Sequence, residues 1–265
     1  MIQSSILPRS LESCSKNKAT FGKGHSIYDR EPSTMKKKWV GYFLVIPFII
    51  LALGTLLFRF SDFDMIISRL FYLEGQGFYL KSTQPWLFLY RHGNVPGLLI
   101  GFFGLFLFLA RLIWKKIGSH WKTGVFLVLL LVLGPGLIVN TVFKRNWGRP
   151  RPVEIVAFGG EQAYRPVWQK GIAGQGKSFP SGHASIGYYL MAPFFFLYPM
   201  GRKRWGLLLL LLGLAYGTTM GLGRIVQGAH FASDVLWSAG FVYFTGIVLS
   251  LFFRFDRMGR KIGKS

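Results

Sequence analysis

The chain has 265 residues, 51% hydrophobic, 17% aromatic and only 16% charged, whereas a soluble domain carries roughly 25% charged residues. Its apolar residues fall in blocks of about 18 or more with few charges, which excludes a water-soluble fold and argues for membrane-spanning helices. The formal net charge of +22 does not imply a nucleic-acid partner, because much of it lies in short loops between apolar blocks, where Lys and Arg orient a membrane protein.

Residues 1–34 are polar and rich in Ser and Lys, without periodicity, and are expected to form a disordered cytoplasmic tail. Met35 followed by three lysines resembles a start, so part of this tail reads as an alternative beginning. Cys14 is the single cysteine, which leaves no intrachain disulfide and no cysteine-based metal site. The apolar run from Trp39 to Phe58 exceeds a signal-peptide core and lacks an obvious cleavage site, so it reads as a retained first span. Further spans are expected at 95–114, 124–143, 184–199, 205–222 and 235–253, giving six. The fourth is short and interrupted by Pro193, which a span tolerates when neighbours satisfy the freed carbonyl. Gly217 and Gly221 form a G-x-x-x-G, a possible close helix contact. The expected fold is therefore an all-α polytopic membrane bundle over 35–256, followed by a basic cytoplasmic tail over 257–265.

Lys and Arg set the orientation. One face collects Lys36 to Lys38, then Lys115, Lys116 and Lys122, then Arg202 to Arg204, then Arg254 through Lys264. On the other face, Arg59 to Arg91 are diluted by Asp62, Asp64 and Glu74. The positive-inside rule puts both termini in the cytoplasm. Residues 59–94 read as amphipathic helices at the outer interface, with Phe71, Tyr72, Trp86, Phe88 and Tyr90 as a headgroup-level aromatic belt.

Three polar pieces then fall together on the outer face. KRNWGRPRP carries Lys144, Arg149 and Arg151, stiffened by Pro150 and Pro152; arginine offers a fork to phosphate oxygens and lysine a point charge. Taken alone, this piece reads equally as a basic loop anchored to lipid headgroups. FPSGHAS carries Ser181, Gly182 and His183 directly before a span, where a helix start offers free N–H groups. GRIVQGAHFASD carries Arg224, His230 and Asp234; the histidine and carboxylate share a face if the stretch is helical, and the carboxylate then fixes the tautomer that leaves the other ring nitrogen nucleophilic. Ionisable groups beside membrane spans are costly and point to function. One match is rejected. Gly171 to Ser178 reads GIAGQGKS, a phosphate-loop pattern, but no strand precedes it and Phe179-Pro180 follows where the helix should run.

Together, K-x6-RP (Lys144, Arg151, Pro152), PSGH (180–183) and R-x5-H-x3-D (Arg224, His230, Asp234) resemble the type 2 phosphatidic acid phosphatase superfamily, in the family's order and on the face its topology requires. One departure is Gly223, where the family usually has serine. The resemblance implies a metal-independent, cofactor-free lipid phosphate phosphatase. In it, His230 attacks phosphorus, Asp234 orients His230, and His183 protonates the leaving oxygen. Lys144, Arg151, Ser181, Gly182 and Arg224 hold the phosphoryl oxygens. The implied partner is a membrane lipid phosphate reached from the bilayer, at a site on the outer face of a bacterial cytoplasmic membrane. Substrates to consider are lipid A, undecaprenyl diphosphate, phosphatidylglycerol phosphate and phosphatidic acid. The Trp147-Gly148-Arg149 insert and the Phe158-Gly159-Gly160 run resemble the envelope-lipid branch and favour lipid A or another envelope lipid. The same residues would serve transfer of the phosphoryl group to a second lipid. A non-enzymatic transporter or scaffold would explain the spans but leave the spaced motifs as coincidence, and transporters place ionisable residues nearer the bilayer midplane.

Overall fold

The structure is a computed structural model that describes residues 32–114, 118 and 120–262, with side chains described over 41–258 apart from 115–117 and 119. The expected tail lies outside the described residues over 1–31, as do 263–265, whereas 32–34 are already helical. The chain divides after Gly41 into two units, and every packing contact and site described below lies within Tyr42 onward.

The fold is helical throughout its apolar blocks. Helix α1 (Pro32–Phe60) is followed by α2 (Phe63–Arg69) and a small antiparallel hairpin of β1 (Tyr72–Leu73) and β2 (Gly77–Phe78). Next come α3 (Trp86–His92), α4 (Val95–Ile113) and α5 (His120–Leu131). Past Leu131 the coil widens into a π-helical stretch, Val132–Phe143, before α6 (Lys144–Asn146). Pro135 lies inside that stretch and has no N–H to offer the ladder. The Asn140 side chain donates to the Pro135 carbonyl at 2.7 Å.

After the loop over 147–181 come α7 (Gly182–Tyr188), a 3-10 turn (Tyr189–Met191), α8 (Phe194–Leu197), α9 (Lys203–Val226), α10 (Ala232–Phe253) and α11 (Phe255–Ile262). The segment expected as a basic tail thus begins inside α11, where Phe255 and Met258 are buried.

Among the described residues five helices are long and apolar enough to cross a membrane: Gly41–Phe60, Trp86–Ile113, His120–Asn146, Lys203–Val226 and Ala232–Phe253. The chain is a multi-pass helical membrane protein. The expected fourth span, 184–199, is not one continuous helix but a series of short helical pieces that pass through the bundle alongside α9, Tyr188 meeting Gly217, Met191 meeting Gly213 and Tyr198 meeting Gly206. Pro193 withholds a backbone donor there, and the stretch is interior rather than lipid-facing: Ala184, Tyr189, Met191, Ala192, Phe194 and Phe195 have no exposed surface. Its hydrophobicity serves the protein core. Neighbouring helices take up the loosened polar groups, since Tyr189 donates to the Leu127 carbonyl at 2.8 Å and Ser250 to the Phe195 carbonyl at 2.5 Å.

The two glycines of the G-x-x-x-G do make close contacts, each with a different neighbour. A Cβ on Gly217 would fall 2.1 Å from the Tyr188 ring in α7, and one on Gly221 would fall 2.2 Å from Val235 in α10. These absences of side chain let α9 lie against both helices that border the polar cluster. A Gly217→Val protein should therefore melt well below the wild type in detergent, by the equivalent of about 1–3 kcal/mol of overpacking. Gly136→Ala, whose added carbon meets only the Leu131 carbonyl at 3.5 Å, should melt within a degree or so of the wild type.

Candidate active site

All three polar pieces meet at one end of the bundle. Lys144 closes the π-helical stretch, Arg151 follows in the proline-stiffened loop, Ser181, Gly182 and His183 open α7, Arg224 ends α9, and Asp234 sits in the first turn of α10. Lys144 feels the charges of Arg151, Arg224, Lys177 and Asp234, and His183 feels those of Arg224 and Lys144. The eight residues expected from the sequence therefore form one cluster.

His230 is not on a helix with Asp234. Gly228, with φ of +65°, turns the chain out of α9, and α10 begins only at Ala232. The imidazole Nδ1 lies 3.8 Å from Asp234 Oδ2, too long for a hydrogen bond, and 2.5 Å from the Ser178 carbonyl. A carbonyl only accepts, so Nδ1 carries the proton and Nε2 keeps its lone pair. Burial holds the His230 pKa down at about 4, despite the nearby Asp234 carboxylate, so the ring is neutral at ordinary pH.

Asp234 reaches His230 by way of Ser178. The Ser178 hydroxyl donates to Asp234 Oδ2 at 2.6 Å, and the Phe231 N–H donates to the same oxygen at 2.8 Å. Oδ1 accepts from Arg149 Nη1 at 2.5 Å. Sequence reasoning passed over Ser178 because it sits in the rejected phosphate-loop match. That segment is a loop, with no strand before it, zipped onto the basic piece: Gly171, Gly174 and Ser178 donate to the carbonyls of Trp147, Arg145 and Arg149.

Arg149 differs from the other cations. Its side chain has no exposed surface, and every donor nitrogen is occupied. Nε donates to the Arg165 carbonyl at 2.8 Å, Nη1 to Asp234 and to the Ser233 hydroxyl, and Nη2 to Asp64 at 2.7 Å. Burial alone would lower its pKa, but Asp234 and Asp64 together raise it, so the guanidinium stays charged.

Arg151 and Arg224 are the opposite case. The Nε of each is buried without a partner. Arg224 also bonds Gln227 and lies 4.6 Å from the centre of the Tyr90 ring, and the same Tyr90 stacks on His183 at 5.2 Å. Tyr90, expected in a headgroup belt, is instead a wall of the cluster. The other expected belt residues are divided: Tyr72 packs on Phe78 and Phe158, while Phe88 faces outward. Burial, followed by the Arg224 and Lys144 charges, lowers the His183 pKa to about 4.

Ser181 caps α7, accepting from the Ala184 N–H at 3.4 Å, and its own N–H is held by Ser238 at 2.9 Å. Its hydroxyl proton remains available to a ligand. A Cβ on Gly182 would fall 2.5 Å from Asn140 Oδ1 and 3.2 Å from Lys144 Nζ, so a side chain here would displace Asn140 and crowd the lysine away from this backbone. At Gly223, where the resemblance expects serine, an added carbon would lie 3.4 Å from Trp86. Among the described residues, no group of three or more His, Cys, Asp or Glu is gathered that could hold a metal ion. The arrangement offers clustered cations with unused donors beside a neutral imidazole of fixed tautomer, which suits holding and attacking a phosphoryl group. Gly182→Ala should weaken binding of inorganic phosphate or vanadate at least about tenfold while leaving the helical circular dichroism intact.

The model of the PAP2 superfamily matches residues 124–257. Over 135 residues the chain is 37% identical to a lipid A 4'-phosphatase of Francisella tularensis subsp. novicida (strain U112), covering 50% of this chain and 60% of that one. It is 32% identical over 123 residues to a lipid A 4'-phosphatase of Rhizobium leguminosarum, covering 44% and 50%. A lipid A 1-phosphatase of Rhizobium johnstonii (strain DSM 114642 / LMG 32736 / 3841) is 26% identical over 214 residues, covering 75% and 67%. The chain thus spans only half to two thirds of these relatives' lengths. No solved structure matches it.

Proposed function

Because the chain belongs to the PAP2 superfamily, we propose that it removes a phosphate from a bacterial envelope lipid, with lipid A as the substrate and the 4' phosphate as the group removed. The observation that carries the phosphatase reading is the pair of buried, unpartnered Nε donors on Arg151 and Arg224, set among Lys144 and Lys177. Buried donors without partners are costly, and phosphate oxygens would satisfy both. The choice of lipid A rests on the relatives named for that activity; the 4' position follows the higher identities, and the 1 position is the second reading.

In this mechanism His230 Nε2 attacks phosphorus while the bond from phosphorus to the lipid oxygen breaks. Lys144, Arg151, Arg224, the Ser181 hydroxyl and the Gly182 N–H hold the charge that spreads over the phosphoryl oxygens. Asp234 stabilises the imidazole through Ser178 and at longer range directly. His183 gives its proton to the departing lipid oxygen. Burial and two facing cations lower its pKa; a bound phosphate dianion offsets those cations and raises it, so the acid forms when substrate arrives. Water then attacks the phosphohistidine, His183 takes its proton, and inorganic phosphate leaves.

The enzyme acts from the outer face of the bacterial cytoplasmic membrane, with both termini inside. The asymmetry of Lys and Arg supports this orientation. So does the position of the cluster, where the helix ends at Asn146 and Val226 and the helix start at Ala232 come together.

Wild-type protein in detergent with EDTA should release phosphate from lipid A, and mass spectrometry of the product should show the 4' position bare. His230→Ala should reduce release by at least about 10⁴-fold. Release by this variant at the wild-type rate would refute the assignment of the nucleophile. Label appearing in a second lipid instead of free phosphate would identify a transferase. The pH profile of kcat/KM adds an independent check. A histidine with a lowered pKa stays unprotonated as pH falls, so its acid limb should lie near pH 4 rather than at the ordinary value of about 6.5.

A further inference from the structure

Asp64 stands outside the matched region of 124–257 and belongs to α2, a short helix preceding most of the spans. It is nevertheless buried at 2% exposure against residues of the cluster. Its Oδ2 accepts from Arg149 Nη2 at 2.7 Å, from the Ser233 hydroxyl at 2.5 Å and from Tyr164 at 3.3 Å. Its Oδ1 accepts from the Ser233 backbone N–H at 2.9 Å. Ser233 is the second residue of α10, so Asp64 caps the helix that carries Asp234 from another part of the chain. Ser233 in turn accepts from Arg149 Nη1 at 2.8 Å.

The guanidinium is therefore divided between two carboxylates. Nη2 is claimed by Asp64 and Nη1 by Asp234, and the plane of the group fixes one against the other. Without Asp64, Arg149 Nη2 would lose its buried acceptor and the guanidinium would be left to Asp234 alone, and the first turn of α10 would lose an acceptor. Both changes move or polarise the carboxylate that, with Ser178, sets His230. None of the bonds recorded for Asp64 involves Lys144, Arg151 or Arg224.

We propose that Asp64 is a positioning residue for phosphoryl transfer, acting through Arg149 and Ser233 to hold Asp234, and thereby His230, in the attacking geometry. The proposal rests on the phosphatase reading above. It separates two properties that a merely structural residue would lose together: capture of phosphate by the cations and attack by His230.

The test compares Asp64→Asn with the wild type in detergent with EDTA, measuring kcat and KM on lipid A, the inhibition constant of vanadate, and the melting temperature. Asparagine retains the acceptor for the Ser233 N–H but presents an amide and no charge to Arg149. Expected is a kcat about 10²-fold lower, with KM and the vanadate constant within about twofold of wild type. An unchanged kcat would overturn the proposal. Equal losses in kcat and vanadate affinity would also overturn it, by showing general collapse of the site. If Asp64→Asn does not fold, Ser233→Ala keeps all the charges and removes only the bridging hydroxyl. Its kcat should fall about fivefold at constant KM, and an unchanged kcat would again overturn the proposal. If the wild type releases no phosphate from any lipid phosphate, the phosphatase reading fails and this proposal falls with it, an outcome visible before any variant is compared.

Discussion

The buried Arg149 guanidinium, held between Asp64 and Asp234, is the interaction on which the geometry of the site depends. It joins three parts of the chain, an early helix, the basic loop and the start of α10, and the bonds of Ser233 to Asp64 and of Ser178 to Asp234 reinforce the same register. A buried ion pair gains little over an apolar pair of the same shape, because the desolvation of its members nearly cancels their attraction. Removing one partner is different, costing about 3–5 kcal/mol through the stranded charge. What this triad supplies is position. Every nitrogen of the Arg149 guanidinium donates to a protein acceptor, so the loop and the helix start are held in one arrangement.

The cations around the cluster therefore divide by how their donors are used. Arg149 is fully buried and each of its nitrogens is engaged by a protein acceptor. Arg151 and Arg224 each keep a buried nitrogen without a partner, and Lys144 points toward the glycine backbone at the start of α7. In the proposed reaction the first kind of cation builds the site and the second kind receives the phosphate. A similar division holds for the hydroxyls. Ser178 and Ser238 tie carboxylate and backbone together, whereas Ser181 caps a helix as an acceptor and keeps its proton free.

The bilayer setting explains why the polar groups gather where they do. Long apolar helices satisfy their own backbone and tolerate lipid around them. The stretch over 184–199 is too broken for that, and it survives because α5, α9 and α10 enclose it and accept its polar atoms. An irregular segment packed along α9 and α10 can hold the glycine and histidine that open it, Gly182 and His183, at fixed positions. A continuous span would have presented residues by helical periodicity alone.

The sequence by itself determined the class of protein, the long spans and the membership of the cluster. Block hydropathy is a local property, and the spaced motifs carry their residue types with them, so Lys144, Arg151, Ser181, Gly182, His183, Arg224, His230 and Asp234 were all legible. It did not disclose that 184–199 is broken and interior, because apolar residues facing protein and apolar residues facing lipid look alike in one dimension. Nor did it disclose Asp64, which reads as one more acidic residue in an outer loop, or Ser178, hidden in a chance phosphate-loop match. Tyr90 likewise reads as an interfacial aromatic. The relation between His230 and Asp234 shows the reason most clearly. A spacing of four suggests a helical face, yet Gly228 turns the chain, and a carbonyl from a loop 52 residues away in sequence takes the imidazole proton. Residue types and local periodicity are written in the chain, but a hydrogen-bond partner is chosen by whichever acceptor the packed helices bring within reach, and only the tertiary structure decides that.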